Sequence, residues 1–162
     1  MNPNTPPLGR DAVYENIATL QAFIDNPNVS DYNTSGFPIW ITEGKCEDRT
    51  KLLLWIASEL GNKYCEQNVR IMYFNAHDFE AITKSNDIID FRTKYADIDF
   101  LLVDNAQFIA SCPEFEEEFF KMYCHMTARN KPVIIAADAG FRAIGFNVRL
   151  MARFAIGTEI SF

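Results

Sequence analysis

With 162 residues, 48% of them hydrophobic, seven Pro and seven Gly, the sequence is long enough for one well-buried core and too short for two ordinary domains. A formal net charge of -7 repels a polyanion wherever that charge is spread evenly, which argues against autonomous DNA binding. No run approaches the roughly 20 apolar residues of a bilayer span, and Met1 to Pro7 lacks the apolar stretch of a secretion signal, so a cytoplasmic protein without membrane contact is expected.

Residues 1–9, with three Pro, two Asn and one Gly, have little to bury and read as a flexible tail before a single domain over 10–162. From Asp11, a plausible N-cap, Val13, Ile17, Leu20 and Ile24 recur at spacings of four, three and four, one face of a helix that Asn26-Pro27-Asn28 ends. A polar loop from Ser30 to Gly36 leads to Phe37–Ile41, a short apolar run bounded by breakers, as a fully buried strand would be. Val69–Phe74, Phe100–Val103 and Pro132–Ala137 repeat the pattern, and Phe154–Ile160 is the last candidate strand.

Helical patterns alternate with these runs: Leu53, Ile56, Ala57 and Leu60 after the first strand, and Phe115, Phe119, Met122 and Met126 before the fourth. The second of these helices opens on Glu114, Glu116, Glu117 and Glu118, which reads as a solvated start that suits the helix dipole. Strands without polar faces, alternating with helices, imply a parallel sheet covered on both sides. The 14 Phe, 2 Trp and 6 Tyr read chiefly as core, with Trp55 beside the apolar stripe of its helix and open to exposure. Cys46, Cys65, Cys112 and Cys124 are irregularly spaced and read as reduced thiols, not as metal ligands; the Cys124-His125 pair reads as filler in a helix.

In such a fold the loop after the first strand normally carries the chemistry, because bound phosphate there meets a helix N-terminus and free backbone N–H groups. Here Glu43-Gly44-Lys45-Cys46-Glu47-Asp48-Arg49-Thr50, laid on G-x-x-x-x-G-K-[ST], matches only at Thr50. Glu43 and Asp48 stand at the glycine positions and Arg49 at the lysine.

The stretch Phe91-Arg92-Thr93-Lys94-Tyr95 followed by Asp97 to Ala110 resembles the run into and through the Walker B strand of DnaA-family initiators, F-R-x-x-Y and then D-h-L-L-h-D-D-h-Q-F-h, where h is apolar. Glu118-Phe119-Phe120, then Pro132 to Asp138 at the sensor 1 strand, then Arg153-Phe154 at the arginine finger follow in the family's order, and Arg49-Thr50-Lys51-Leu52-Leu53 looks like its K-T-H-L-L. The resemblance covers roughly residues 9–162, and Hda-type inactivators of DnaA are a second comparison within the same family. It implies a three-layer α/β domain of the AAA+/P-loop type with a parallel five-stranded sheet, ending at Phe162 without the helical lid or the helix-turn-helix domain of the family.

The resemblance marks Arg49, Thr50, Asp104 and Asn105 as a vestigial nucleotide site and Arg153 as a finger or interface residue. Three carboxylates, Glu43, Glu47 and Asp48, stand where phosphates would lie, and Asn105 replaces the second Walker B acid and is no general base. Asp104 reads as a helix-capping carboxylate ahead of a relict metal ligand, Thr50 as a helix-start residue, and Arg153 equally as a trans-acting finger or an anchor for an acidic neighbour.

The resulting expectation is a non-enzymatic domain with no cofactor and no metal. It would act through protein contacts in replication initiation, with DnaA, another AAA+ protein or the replication machinery as partner, or as a homo-oligomer. No glutamine-led clamp-binding peptide is visible in Met1 to Asp11, which weakens a clamp partner. One alternative is an altered ATPase using Arg49 on phosphate, Thr50 and Asp104 on magnesium and Arg153 in trans. The least favoured is a DNA-binding module with a local basic face of Lys45, Arg49, Lys51 and Lys63.

Overall fold

The structure, a computed structural model, describes residues 13–26, 38–85 and 87–161, without side chains for 13–17. The tail 1–9, Asp11 with its N-cap role, Pro27-Asn28 and the loop from Ser30 to Gly36 lie outside the described residues. The order of elements is α1 (Val13–Asp25), β1 (Ile39–Thr42), α2 (Cys46–Lys63), β2 (Ile71–Asn75), α3 (Phe79–Lys84), α4 (Asp87–Ala96) and β3 (Phe100–Asp104), then α5 (Pro113–Ala128), β4 (Val133–Ala136), α6 (Phe141–Ile144), α7 (Val148–Phe154) and β5 (Thr158–Ser161).

The five strands form one sheet in the order β2-β3-β4-β1-β5, with every pair parallel. Strands β1, β3 and β4 are buried along their whole length because both faces are covered. Successive side chains of one strand point to opposite faces, so each strand feeds two cores. Ile39, Ile41, Leu102, Ile134 and Ala136 meet Leu20, Phe23 and Ile24 of α1 and Leu53, Ile56 and Leu60 of α2. Trp40, Leu101, Val103, Val133 and Ile135 meet the helices of the other layer, among them Phe119, Met122 and Met126 of α5.

Four of the five expected strands match to within two residues at each end. The last differs: Phe154 closes α7 and β5 begins only at Thr158. The cause is packing, since Leu150 and Phe154, four residues apart on one helix face, both bury, and the Phe154 ring lies 4.9 Å from Trp40 and 5.2 Å from Phe146. Strand β5 is an edge strand in which only Ile160 is buried, so a short half-exposed segment carries its pairing with β1.

The acidic start of α5 is also not simply solvated. Glu118 is 8% exposed and accepts from Arg92 Nε and Nη2 and from Lys121 Nζ, and the Arg92 hydrogen bonds hold its carboxyl below the usual range against the opposing effect of burial. Glu116 accepts from the backbone N and Nδ2 of Asn147, both at 2.9 Å, tying α5 to the start of α7. Trp55 is half-buried against the α1–α2 side of the sheet, not exposed.

The turn into β5 depends on a glycine. A Cβ on Gly157 would lie 2.2 Å from Pro38 O, the same carbonyl that accepts from Thr158 N at 2.9 Å and opens the β1–β5 pairing. Backbone cannot step aside as a flexible side chain can, so Gly157→Ala is expected to destabilise the domain by about 2–3 kcal/mol in urea unfolding. A change within about 0.5 kcal/mol would show that β5 contributes little to the fold.

Candidate functional site

The site that the sequence marks lies at the carboxyl end of the central strands. Only Glu43, Gly44 and Lys45 separate β1 from α2, so the helix is already one turn old at Arg49. Glu43 and Gly44 both take φ 64, the left-handed region, which is strained for the glutamate.

That double left-handed turn has a partner. Arg49 is 4% exposed, and its Nη1 donates to Glu43 O and to Gly44 O, each at 2.7 Å. The guanidinium thus faces back under its own loop and is capped by two carbonyls, while Arg49 Nε is buried without a hydrogen-bond partner. No carboxylate pairs with Arg49 among the described residues. Two charge-assisted bonds offset part of the cost of burying this cation, each worth about 1.5–3 kcal/mol.

Thr50, one residue on, points to the Walker B strand. Its Oγ1 donates to Asp104 Oδ2 at 2.5 Å, Tyr73 OH donates to the same oxygen at 2.8 Å, and Asn105 N donates to Oδ1 at 2.8 Å. Asp104 is fully buried, and its partners among the described residues are neutral donors. Burial first, and then the hydrogen bond to the Asp104 carboxylate, push the Tyr73 hydroxyl far above the ordinary tyrosine value.

Asn105 is 7% exposed and sits at φ 53, a conformation asparagine tolerates better than most residues. Its Nδ2 donates to Asn75 Oδ1 at 3.3 Å and its Oδ1 accepts from Cys46 Sγ at 3.2 Å. Register explains the meeting of these groups, because Asn75 at the end of β2 stands opposite Asp104 at the end of β3.

Thr50, Asp104 and Asn105 are therefore brought together, while Arg49 is turned into the loop and Arg153 stands elsewhere. Arg153 lies in the last turn of α7, exposed, with no hydrogen bond or ion pair among the described residues, so the role of anchor for an acidic neighbour finds no partner there. Tyr73, Asn75 and Cys46 complete the cluster and were not singled out by sequence motif; the parallel register of β2 on β3 is what recruits the first two. The four basic residues do not make one face: Arg49 is buried, Lys63 Nζ lies 2.6 Å from Asp25 and Lys51 Nζ 3.8 Å from Asp48.

Nucleotide phosphate does not fit the loop as arranged. A phosphate cradle turns loop N–H groups and a cation toward the ligand. Here the loop is three residues long, the cation at the lysine position is bound by the loop's own carbonyls, and the exposed charges beside it are Glu43 and Glu47 together with Lys45.

Residues 15–161 match the family described as the bacterial DnaA ATPase domain. The chain is 33% identical over 128 residues to the chromosomal replication initiator protein DnaA of Limosilactobacillus fermentum, covering 76% of this chain and 29% of that protein. It is 31% identical over 107 residues to DnaA of Helicobacter acinonychis, covering 63% and 24%. The chain thus spans less than a third of the length of these relatives. Domain III of the replication initiation protein DnaA from Thermotoga maritima superposes with a TM-score of 0.77 at 23% identity, over 96% of this chain and 63% of that one. AMPPCP-bound DnaA from Aquifex aeolicus superposes at 0.76 and 23% identity, over 96% and 48%.

Two measurements check this polar cluster. Thr50→Val removes a donor from a buried carboxylate and is expected to cost about 1–3 kcal/mol. The raised Tyr73 value means that the folded chain keeps this proton where the unfolded chain has lost it. Its stabilisation is complete below about pH 10, the unfolded tyrosine value, and is lost as pH rises beyond that toward the folded value. Urea midpoints between about pH 8 and 11 should therefore fall less steeply in Tyr73→Phe than in the parent; equal slopes would remove Tyr73 from the account.

Proposed function

The chain belongs to the bacterial DnaA ATPase-domain family, and we propose that it works as a non-hydrolysing DnaA-like AAA+ domain, acting through protein contacts in replication initiation or its regulation. The observation that carries this reading is the inward-turned Arg49. The one cation at the lysine position of the loop is bound by Glu43 O and Gly44 O, so binding phosphate through it would require breaking both bonds.

Three further features support it. Glu43 and Glu47 are exposed at the loop, and each carboxylate brought to about 4 Å from a phosphate costs roughly 1–4 kcal/mol in dielectrics between water and a protein surface. Asp104 already accepts from three donors of the chain itself. Asn105 carries an amide, which has no basic lone pair for water activation.

DnaA itself, another AAA+ protein or a component of the replication machinery is the partner class this reading names. Arg153, exposed and unpaired among the described residues, remains available to an anionic group on such a neighbour. If that neighbour holds ATP, the guanidinium acts on the neighbour's nucleotide, since a finger needs a phosphate in another subunit.

Calorimetric titration of the chain with ATP and with ADP in the presence of magnesium is expected to show no binding up to millimolar nucleotide. Arg49→Ala is expected to lower unfolding free energy by about 2–4 kcal/mol through loss of the two carbonyl bonds, without a change in nucleotide response. Micromolar ATP binding, or phosphate release that both Arg49→Ala and Asp104→Ala abolish, would sink the reading in favour of an altered ATPase.

A further inference from the structure

Away from the nucleotide-type site, a groove of about 1030 Å³ runs between α3, α4 and the first two turns of α5. Its floor is apolar, with Ile88, Pro113 and Phe115 among its lining. The Phe115 ring stacks on the buried Phe79 ring at 5.6 Å between centroids, and Phe79 meets Phe74 and Phe91 edge-on. The floor is therefore the outer face of an aromatic core that packs without an occupant. Next along α4 from Ile88, Ile89 is 68% exposed.

The elements around this floor carry an excess of negative charge. Helices α3 and α4 are each neutral, with Glu80 against Lys84 in one and Asp87 and Asp90 against Arg92 and Lys94 in the other. The first two turns of α5 add Glu114, Glu116, Glu117 and Glu118, so these elements together hold -4 of the chain's net charge of -7. The two cations that line the groove are spent within it, Lys84 on Glu80 and Arg92 on Glu118. Glu117 reaches Arg149 at 2.9 Å. Glu114, which lines the groove with Phe115, is exposed and has no partner among the described residues.

We propose that the groove seats a basic amphipathic helix of a different protein, with its apolar face on Ile88 and Phe115 and a lysine or arginine at Glu114. Charge selects this occupant. Anything that covers the floor takes Glu114 partly out of water, and a carboxylate so covered has to gain a donor, which a wholly apolar molecule lacks. An acidic segment or a nucleic acid would meet the local charge of -4.

The walls select its backbone form. No lining residue belongs to a strand, so an extended segment finds no open sheet edge there to pair with. A segment laid between helices satisfies its own backbone groups by being a helix itself, and it then presents apolar side chains at i, i+3, i+4 and i+7 to the floor. The inference rests on the protein-contact reading of the domain and adds to it the chemistry of the segment that makes the contact.

Fluorescence anisotropy of the full chain with labelled peptides tests it. The probe is a helical peptide of about 15 residues with leucines at i, i+3, i+4 and i+7, lysines flanking that face and glutamines elsewhere. Two companions carry glutamate or glutamine in place of every lysine. The lysine peptide is expected to bind saturably in the micromolar range, the glutamine peptide about tenfold more weakly and the glutamate peptide not at all. Glu114→Arg is expected to weaken the lysine peptide about tenfold, and Ile88→Gln about fivefold. Glu66→Arg, an equal change of charge at an exposed position between α2 and β2, is expected to leave it within about twofold. Circular dichroism checks that the variants fold, and the exposed Glu114 position keeps the test open if Ile88→Gln does not. No binding by the lysine peptide, equal binding by its companions, or equal losses in Glu66→Arg and Glu114→Arg would overturn the proposal. Nucleotide titration judges the Arg49 reading and the peptides judge this one, so failure of either is told apart from failure of the other.

Discussion

The hydrogen bonds from the Arg49 guanidinium to the carbonyls of Glu43 and Gly44 are the constraint from which the character of this domain follows. A buried cation has to be answered by something, and the described residues offer it no carboxylate. The loop answers it with backbone oxygen, at the cost of placing a glutamate in the left-handed region. One side chain thereby ties down the left-handed turn between β1 and α2.

The second buried charge is answered in the same way. Asp104 ends the central strand β3 and is held by Thr50 from α2, Tyr73 from β2 and its own chain at Asn105 N. These bonds cross-link three elements at the carboxyl end of the sheet, where parallel strands leave their last carbonyls and side chains without a ladder partner. Below them the sheet is apolar on both faces, with Trp40 wedged among the Phe141, Phe146 and Phe154 rings on one side and α1 and α2 closing the other. The polar cap sets the position of the strand ends and the two cores set everything beneath it.

Much of this frame was legible in the sequence because short apolar runs between breakers have few alternatives. Val69–Phe74, Phe100–Val103 and Pro132–Ala137 came within two residues of the strands observed, and the Asp97 to Ala110 run pointed to the family that the comparison with known proteins then established. The strand at Phe154 was misplaced because an aromatic followed by Ala-Ile reads as β while the deciding contact, Phe154 on Trp40, spans more than a hundred positions. The acid run at Glu114 looked solvated for a similar reason: Arg92 and Asn147, which answer Glu118 and Glu116, are remote in sequence. At the site, the family resemblance grouped Arg49, Thr50, Asp104 and Asn105. It did not show that Arg49 turns inward, since the direction of a long side chain is set by what its environment can accept and not by its place in a motif.

The two buried charges together show how such a frame is held by groups of the chain itself. In a phosphate-binding domain the cation of the loop and the carboxylate of the strand are completed from outside, by phosphate and metal. Here the cation is completed by carbonyls and the carboxylate by two hydroxyls and an amide, all from the chain itself. On the proposed reading a nucleotide has no differential affinity to contribute, and a ligand shifts an equilibrium only by its differential affinity for the two states. On the proposed reading this makes its contacts constitutive: whatever surface α5 and α7 present to a partner is presented at all times, and control passes to the concentration of the chain and of the partner it meets.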